Sequence, residues 1–283
     1  RKQAGLSQEK MAEKIGVSRQ AITKWENGTG TPDISNLMAI ANLFQISIDE
    51  LLSNEKTESK KSEYIYESRT EYDIDGKKDF DIKLCGAYKV DLKAYNGEKI
   101  VVELFSNVYK NIQSDYKVKI DDIRHNIDIE IARLNGVSEA IAKESLVVNI
   151  NIPAQYIGRV EISVNAGTLT VNDIENENIE INGKISEVAL KGNKSEIEID
   201  SNLDMQINVI SHEGAVEINQ LSATSRLIIP ENFCFRSAKK GIANTIYYEK
   251  YGKKVESFSN DESDNYIELN GIKSELVIAI DEA

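Results

Sequence analysis

The stretch Ser7–Gly28, SQEKMAEKIGVSRQAITKWENG, constrains the fold of this chain more than any other segment. It predicts two short helices meeting at a tight turn. Ser7 is placed to cap the first, with Lys10 three residues on, and Gln8 and Glu9 open its first turn. Met11, Ala12 and Ile15 turn inward. Gly16 supplies the left-handed backbone of a sharp turn, Val17 fills the corner and Ser18 caps the second helix. Ile22 and Trp25, three residues apart, give that helix one inward face. Ala12, being small, lets the two backbones approach. Arg19, Gln20, Thr23, Lys24 and Asn27 are left facing outward.

The helical pattern continues. Asp33 is a cap, Leu37, Ile40, Ala41 and Phe44 recur at helical spacing, and Ile48, Leu51 and Leu52 seal the end. RKQAGLSQ, the Ser7–Gly28 segment and DISNLMAIANLFQISIDELL together resemble the helix-turn-helix of phage-repressor-type (XRE family) transcriptional regulators, over residues 1–52. The resemblance implies a small all-α, five-helix bundle that binds double-stranded DNA, commonly as a homodimer on a two-fold site. That family's first helix extends upstream of the position Arg1 occupies, so a truncated first helix is expected.

The resemblance also assigns roles. Arg19, Gln20 and Lys24 would read base edges, with Thr23 beside them, since Arg pairs bidentately with guanine and Gln with adenine. Gln8, Ser18 and Asn27 would anchor phosphates through an amide, a hydroxyl and nearby backbone N–H groups. The bland alternative is a solvated helix face. Trp25 suits core packing better than base stacking. Arg1 and Glu26 match a family pair that ties the first helix to the reading helix.

The net charge of −13 argues at first against a nucleic-acid partner. Its distribution removes the objection: residues 1–56 hold seven basic and seven acidic side chains, so the whole acidic excess lies beyond them. An acidic second part is repelled by phosphate and is expected to face away from DNA. Cys85 and Cys234 have no CxxC spacing and read as reduced, buried thiols of a cytoplasmic protein. His125 and His212 read as surface or turn histidines, with no metal site. Asp121 with Asp122, and Asp261, Glu262 and Asp264, read as solvated acid rather than calcium ligands. No GxSxG, HExxH or P-loop occurs, so neither enzyme activity nor a cofactor is expected. No apolar run is long enough for a membrane span.

Ser53–Glu63, SNEKTESKKSE, has no apolar residue and reads as a flexible linker. From residue 64 the texture becomes all-β. IVVEL at 100, YKVKI at 116, IDIEI at 127 and LVVNINIP at 146 read as strands. From 160 a repeat emerges. One series pairs Ile162 with Val164, Ile179 with Ile181, Ile197 with Ile199 and Val216 with Ile218. The other runs through Leu169 and Val171, Val188 and Leu190, Ile207 and Val209, ending near Ile228. Gly167, Gly183, Gly192 and Gly214 fall between as turn residues.

A β-solenoid with two strands per coil and a meander of hairpins both fit this spacing. The scarcity of Asn-Gly and Asp-Gly turns favours the solenoid, although Asn182-Gly183 is one such pair. LVVNINIPAQYIGRVEISVNAGTLTV resembles an adhesin-like β-strand-repeat family of unknown function, across 64–283. That implies a solenoid-like fold and no activity. The resulting expectation is a multi-domain chain: a cytoplasmic, bacterial DNA-binding regulator whose β domain serves association, partner binding or sensing. The competing expectation is a β-scaffold whose helical head contacts protein rather than an operator.

Overall fold

The computed structural model describes residues 6–26, 29–44 and 64–281. The chain divides into two compact units, residues 1–63 and 64–283. In the first, α1 (Gln8–Ile15), α2 (Arg19–Glu26) and α3 (Ile34–Phe44) start where the sequence places their caps. Ser7 Oγ accepts from the Lys10 N–H at 3.1 Å, Ser18 Oγ from Ala21 at 3.1 Å, and Asp33 Oδ1 from Asn36 at 2.8 Å. Each supplies a partner that the first turn of a helix lacks.

α1 stops at Gly16, which is left-handed at φ 74°, and the Val17 N–H donates to the Ala12 carbonyl at 3.0 Å. Met11, Ala12, Ile22 and Ile40 are buried together, with Ile15, Val17, Trp25, Leu43 and Phe44 packed against them. Trp25 is therefore a packing residue. The chain before Leu6, the closing residues Ile48, Leu51 and Leu52, and the linker at 53–63 lie outside the described residues.

The second unit is β-rich. It opens with β1 (Tyr66–Asp73), β2 (Lys78–Leu84), β3 (Ala87–Tyr95), β4 (Lys99–Ser106), β5 (Tyr116–Ile123), β6 (Asn126–Arg133) and β7 (Val147–Pro153). Two long bent strands follow, β8 (Ile157–Asn172) and β9 (Glu175–Asp200). The chain closes with β10 (Met205–Glu213), β11 (Ala215–Leu221), β12 (Thr224–Ile228), β13 (Arg236–Ile242), β14 (Thr245–Lys250), β15 (Lys253–Val255), β16 (Tyr266–Ile272) and β17 (Glu275–Ile280). The four runs read as strands at 100, 116, 127 and 146 are β4, β5, β6 and β7.

Pairing through the repeat is parallel and nearly constant in offset. Val160 lies beside Ile179, Leu169 beside Val188, Val188 beside Ile207 and Ile197 beside Val216, 19 residues apart each time. Antiparallel pairing is found for β1 with β4, β4 with β7, β5 with β6 and β14 with β15. β8 pairs with β2 along its first half and with β3 along its second, so one strand serves two parallel ladders. The rungs are not in chain order: β2 sits between β6 and β8, and β16 between β11 and β13.

Alternate residues of a strand share a face, so in-register parallel pairing stacks inward side chains into columns. Val148, Val90, Leu169, Val188, Ile207, Leu227 and Ile278 form one such column, each fully buried. Two expected registers are corrected here. Ile179 and Ile181 stack on Val160 and Ile162, while Val164 faces Gly183; Leu227 is buried in place of Ile228.

Corners are held by glycine and by buried amides. Gly183, at φ 132°, lies so close to the neighbouring rung that a Cβ would come 2.0 Å from the Val164 carbonyl oxygen. Buried Asn193 accepts from the Ile174 N–H at 3.0 Å and donates to the Val171 carbonyl at 2.8 Å. Asn244 repeats the device between the Ser274 N–H and the Gly271 carbonyl.

Three expectations about side chains change. Cys234 is exposed and Cys85 only half-buried, and burial pushes the Cys85 thiol up to about 11. His212 is buried near the corner at Gly214, its Nε2 3.3 Å from the Ala215 carbonyl, and burial lowers its pKa. Asp121 and Asp122 are engaged by Lys119 and Lys78, so these two acids form ion pairs.

Candidate nucleic-acid interface

α2 presents its outer face because its inner one is committed. Ile22 is almost fully buried and Trp25 packs beside it, leaving Arg19, Gln20 and Lys24 exposed. Arg19 and Gln20 occupy the first turn, where a helix carries unsatisfied N–H groups and the positive end of its dipole. A side chain there is the first to reach a groove entered N-terminus first. Lys24, in the last turn, adds a second cation on the exposed surface. Such a surface matches a polyanion bearing base edges.

Behind that face the two helices are laced by polar contacts. Gln8 Nε2 donates to Glu26 Oε2 at 2.7 Å, and Thr23 Oγ1 donates to Gln8 Oε1 at 3.3 Å. The Thr23 hydroxyl also lies 3.1 Å from the Arg19 carbonyl, a bond within its own helix. Gln8 and Thr23 therefore fix how α1 meets α2, and only Gln8's remaining capacity is open to a phosphate. Ser18 accepts the Ala21 N–H, so its hydroxyl hydrogen is what it can offer an anion. Arg1 and Asn27 lie outside the described residues, and Glu26 takes its hydrogen bond from Gln8.

The Gln8–Glu26 bond joins residues 18 positions apart. Sequence spacing carries no sign of a contact made only once the helices cross. Thr29 was also not singled out: its N–H donates to the Lys24 carbonyl at 2.9 Å and its Oγ1 lies 3.3 Å from the same oxygen, closing the end of α2. A threonine just past the Asn-Gly step was its one local signal.

Comparison with known proteins bears on the same segment. Residues 1–51 match the family described as Helix-turn-helix. The HTH-type transcriptional activator BcrR of Enterococcus faecalis is 51% identical over 51 residues, 18% of this chain and 25% of that protein. The HTH-type regulator YqaE of Bacillus subtilis is 43% identical over 58 residues, 20% of this chain and 50% of its own. The cryptic phage CTXphi repressor RstR of Vibrio cholerae is 45% identical over 51 residues, 18% and 46%. The matched stretch thus spans a quarter to a half of these relatives' own length.

Among solved structures, a proposed cell adhesion protein of Clostridium sporogenes aligns with 76% of this chain and 99% of its own, at 14% identity and TM-score 0.36. A proposed adhesin of Bacteroides fragilis aligns with 76% and 97%, at 10% identity and TM-score 0.38. Neither likeness bears on function. Among the described residues no helix is long and apolar enough to cross a membrane. The N-terminal 51 residues of this chain are a helix-turn-helix domain of the kind found in transcriptional regulators.

Proposed function

We propose that this chain is a sequence-specific DNA-binding transcriptional regulator acting in the cytoplasm. The observation that carries it is the exposed set Arg19, Gln20 and Lys24 on a helix whose opposite face is locked into a core. Arg19 and Gln20 read bases, Lys24 supports them, and Gln8, Ser18 and Asn27 meet phosphates, with Thr23 as a bridge to Gln8. Arg1 and Glu26 tie the first helix to α2. The DNA-binding domain spans 1–52, the linker 53–63 and the β domain 64–283. Two copies would meet half-sites about one helical turn apart.

The parallel 19-residue offset and stacked apolar columns support a solenoid-like reading of the β domain. Association ranks first among its jobs, ahead of partner binding and sensing. Arg19→Ala is expected to lose about 1–3 kcal/mol on the preferred duplex and far less on a scrambled one, read by fluorescence anisotropy. An equal loss on both duplexes would reduce Arg19 to a phosphate contact.

A further inference from the structure

Four large aliphatic side chains line one corner of the β unit and are all exposed: Leu203, Leu221, Ile272 and Ile242. Leu221 stands beside Ile272 and Ile272 beside Ile242 in the parallel ladder. Leu203 lies in the turn one coil earlier, one residue past Asn202, whose Oδ1 accepts the Leu221 N–H at 3.0 Å. Single exposed aliphatics are ordinary on a protein surface, but three in register on successive rungs with a fourth in the adjoining turn are not. An open groove lined by Leu203, Leu221 and Ile272 follows it.

Behind it runs a polar column in register, Asp200, Asn219, Asn270 and Lys240, two residues back from Leu221, Ile272 and Ile242 and three from Leu203. It has an anion at one end, a cation at the other and amides between. Two copies placed face to face about a two-fold axis parallel to the strands reverse the rung order. Leu203 then meets Ile242, Leu221 meets Ile272, Asn219 meets Asn270, and Asp200 meets Lys240. Every contact occurs twice, as an isologous interface requires. Unreversed stacking would set Asp200 on Asp200 instead.

We propose that this corner stripe is the surface through which a second copy of this chain docks, in that reversed order. Glu198, Glu217 and Glu268 stand a further two residues back, so the contact centres on the corner and leaves the carboxylates at its rim. Glu268 is already held by Lys240 at 2.9 Å and by the Tyr266 hydroxyl at 2.6 Å. The stripe is small beside the ~800 Å² per partner of a standard interface, so the association is weak and reversible. It rests on the reading of the β domain as an association domain and is independent of DNA reading.

The experiment uses the full chain carrying Cys234→Ser. Leu203→Cys protein is mixed with Ile242→Cys protein and treated with a short bifunctional thiol cross-linker, while sedimentation equilibrium measures assembly. The expected result is a cross-linked dimer in the mixture and little from either protein alone, because like positions sit about 14 Å apart along the stack. Leu221→Asp is expected to weaken self-association at least tenfold without lowering the thermal midpoint, its side chain being exposed. A dimer that persists in Leu221→Asp, or that cross-links equally well in Leu203→Cys alone, would overturn the stripe while leaving association standing. A full chain that stays monomeric at high concentration would overturn both.

Discussion

Gly271→Ala is expected to remove most of the stability of the β unit. Gly271 lies at φ 147°, between Gln220 of β11 and Gly241 of β13, and an added Cβ would come 1.8 Å from the Gln220 carbonyl oxygen. No real Cβ sits that close, so a rung must move. Gln220 cannot give easily. Its side chain is buried, donating to the Ala223 and Glu275 carbonyls at 3.0 and 3.1 Å, and Ser225 Oγ donates to it at 2.7 Å. Its carbonyl also accepts from Ser274 Oγ at 3.0 Å.

Clash plus a backbone conformation that L side chains rarely adopt places the cost above about 4 kcal/mol, a large share of the ~5–15 kcal/mol that hold a typical domain. Urea unfolding followed by far-ultraviolet circular dichroism reads it. Gly76→Ala is the control, since a Cβ there meets nothing within 4 Å. A Gly271→Ala midpoint within the error of Gly76→Ala would contradict the close approach of the rungs.

Asn193→Leu is the second large effect. The substitution keeps the volume and removes both hydrogen bonds, orphaning the Ile174 N–H and taking one donor away from the Val171 carbonyl inside the protein. A buried backbone N–H left without a partner costs about 1–3 kcal/mol and the lost bond to the carbonyl adds about 0.5–1.5 kcal/mol, so a total loss of about 2–4 kcal/mol is expected. Amide hydrogen exchange provides the discriminating readout: protection at Ile174 should fall more than global unfolding requires. Asn202→Leu serves as comparison, because the amide of Asn202 reaches only the Leu221 N–H and lies at an exposed position.

What the sequence disclosed was local. Caps at Ser7, Ser18 and Asp33 and the left-handed Gly16 depend on residues within four positions of each other, and all four appear as read. Alternation likewise exposed the inward residues and their coil-length period. Register was less legible, because Val160, Ile162 and Val164 are all apolar and all buried, and nothing in alternation says which two stack on Ile179 and Ile181. Rung order was not legible at all. Val216 pairs with Ile267, 51 residues on, and the β13–β14 pair lies beyond the β16–β17 pair that follows it in the chain. Such an insertion is a long-range choice that a repeat period cannot encode.

The outer face of α2 divides in the same way. Arg19, Gln20 and Lys24 were readable from helical spacing, since exposure follows once Ile22 and Trp25 turn inward. Gln8 and Thr23 were readable only as members of a motif, and their mutual contact depends on how the helices cross. The bridge has a functional consequence. For the phosphate contact proposed for Gln8, a side chain already held by Glu26 and Thr23 would lose little further rotamer freedom, as a preorganised contact should.

The measurement that tests the central claim most directly is selection of bound duplexes from a random-sequence pool by the full chain at physiological salt. A reading helix on a two-fold assembly predicts strong enrichment of one motif with two half-sites about ten base pairs apart. It further predicts that Arg19→Ala relaxes the motif at one position of each half-site. A bound pool indistinguishable from the input, at concentrations that saturate non-specific binding, would contradict DNA reading and point to a helical head that contacts protein on a β scaffold.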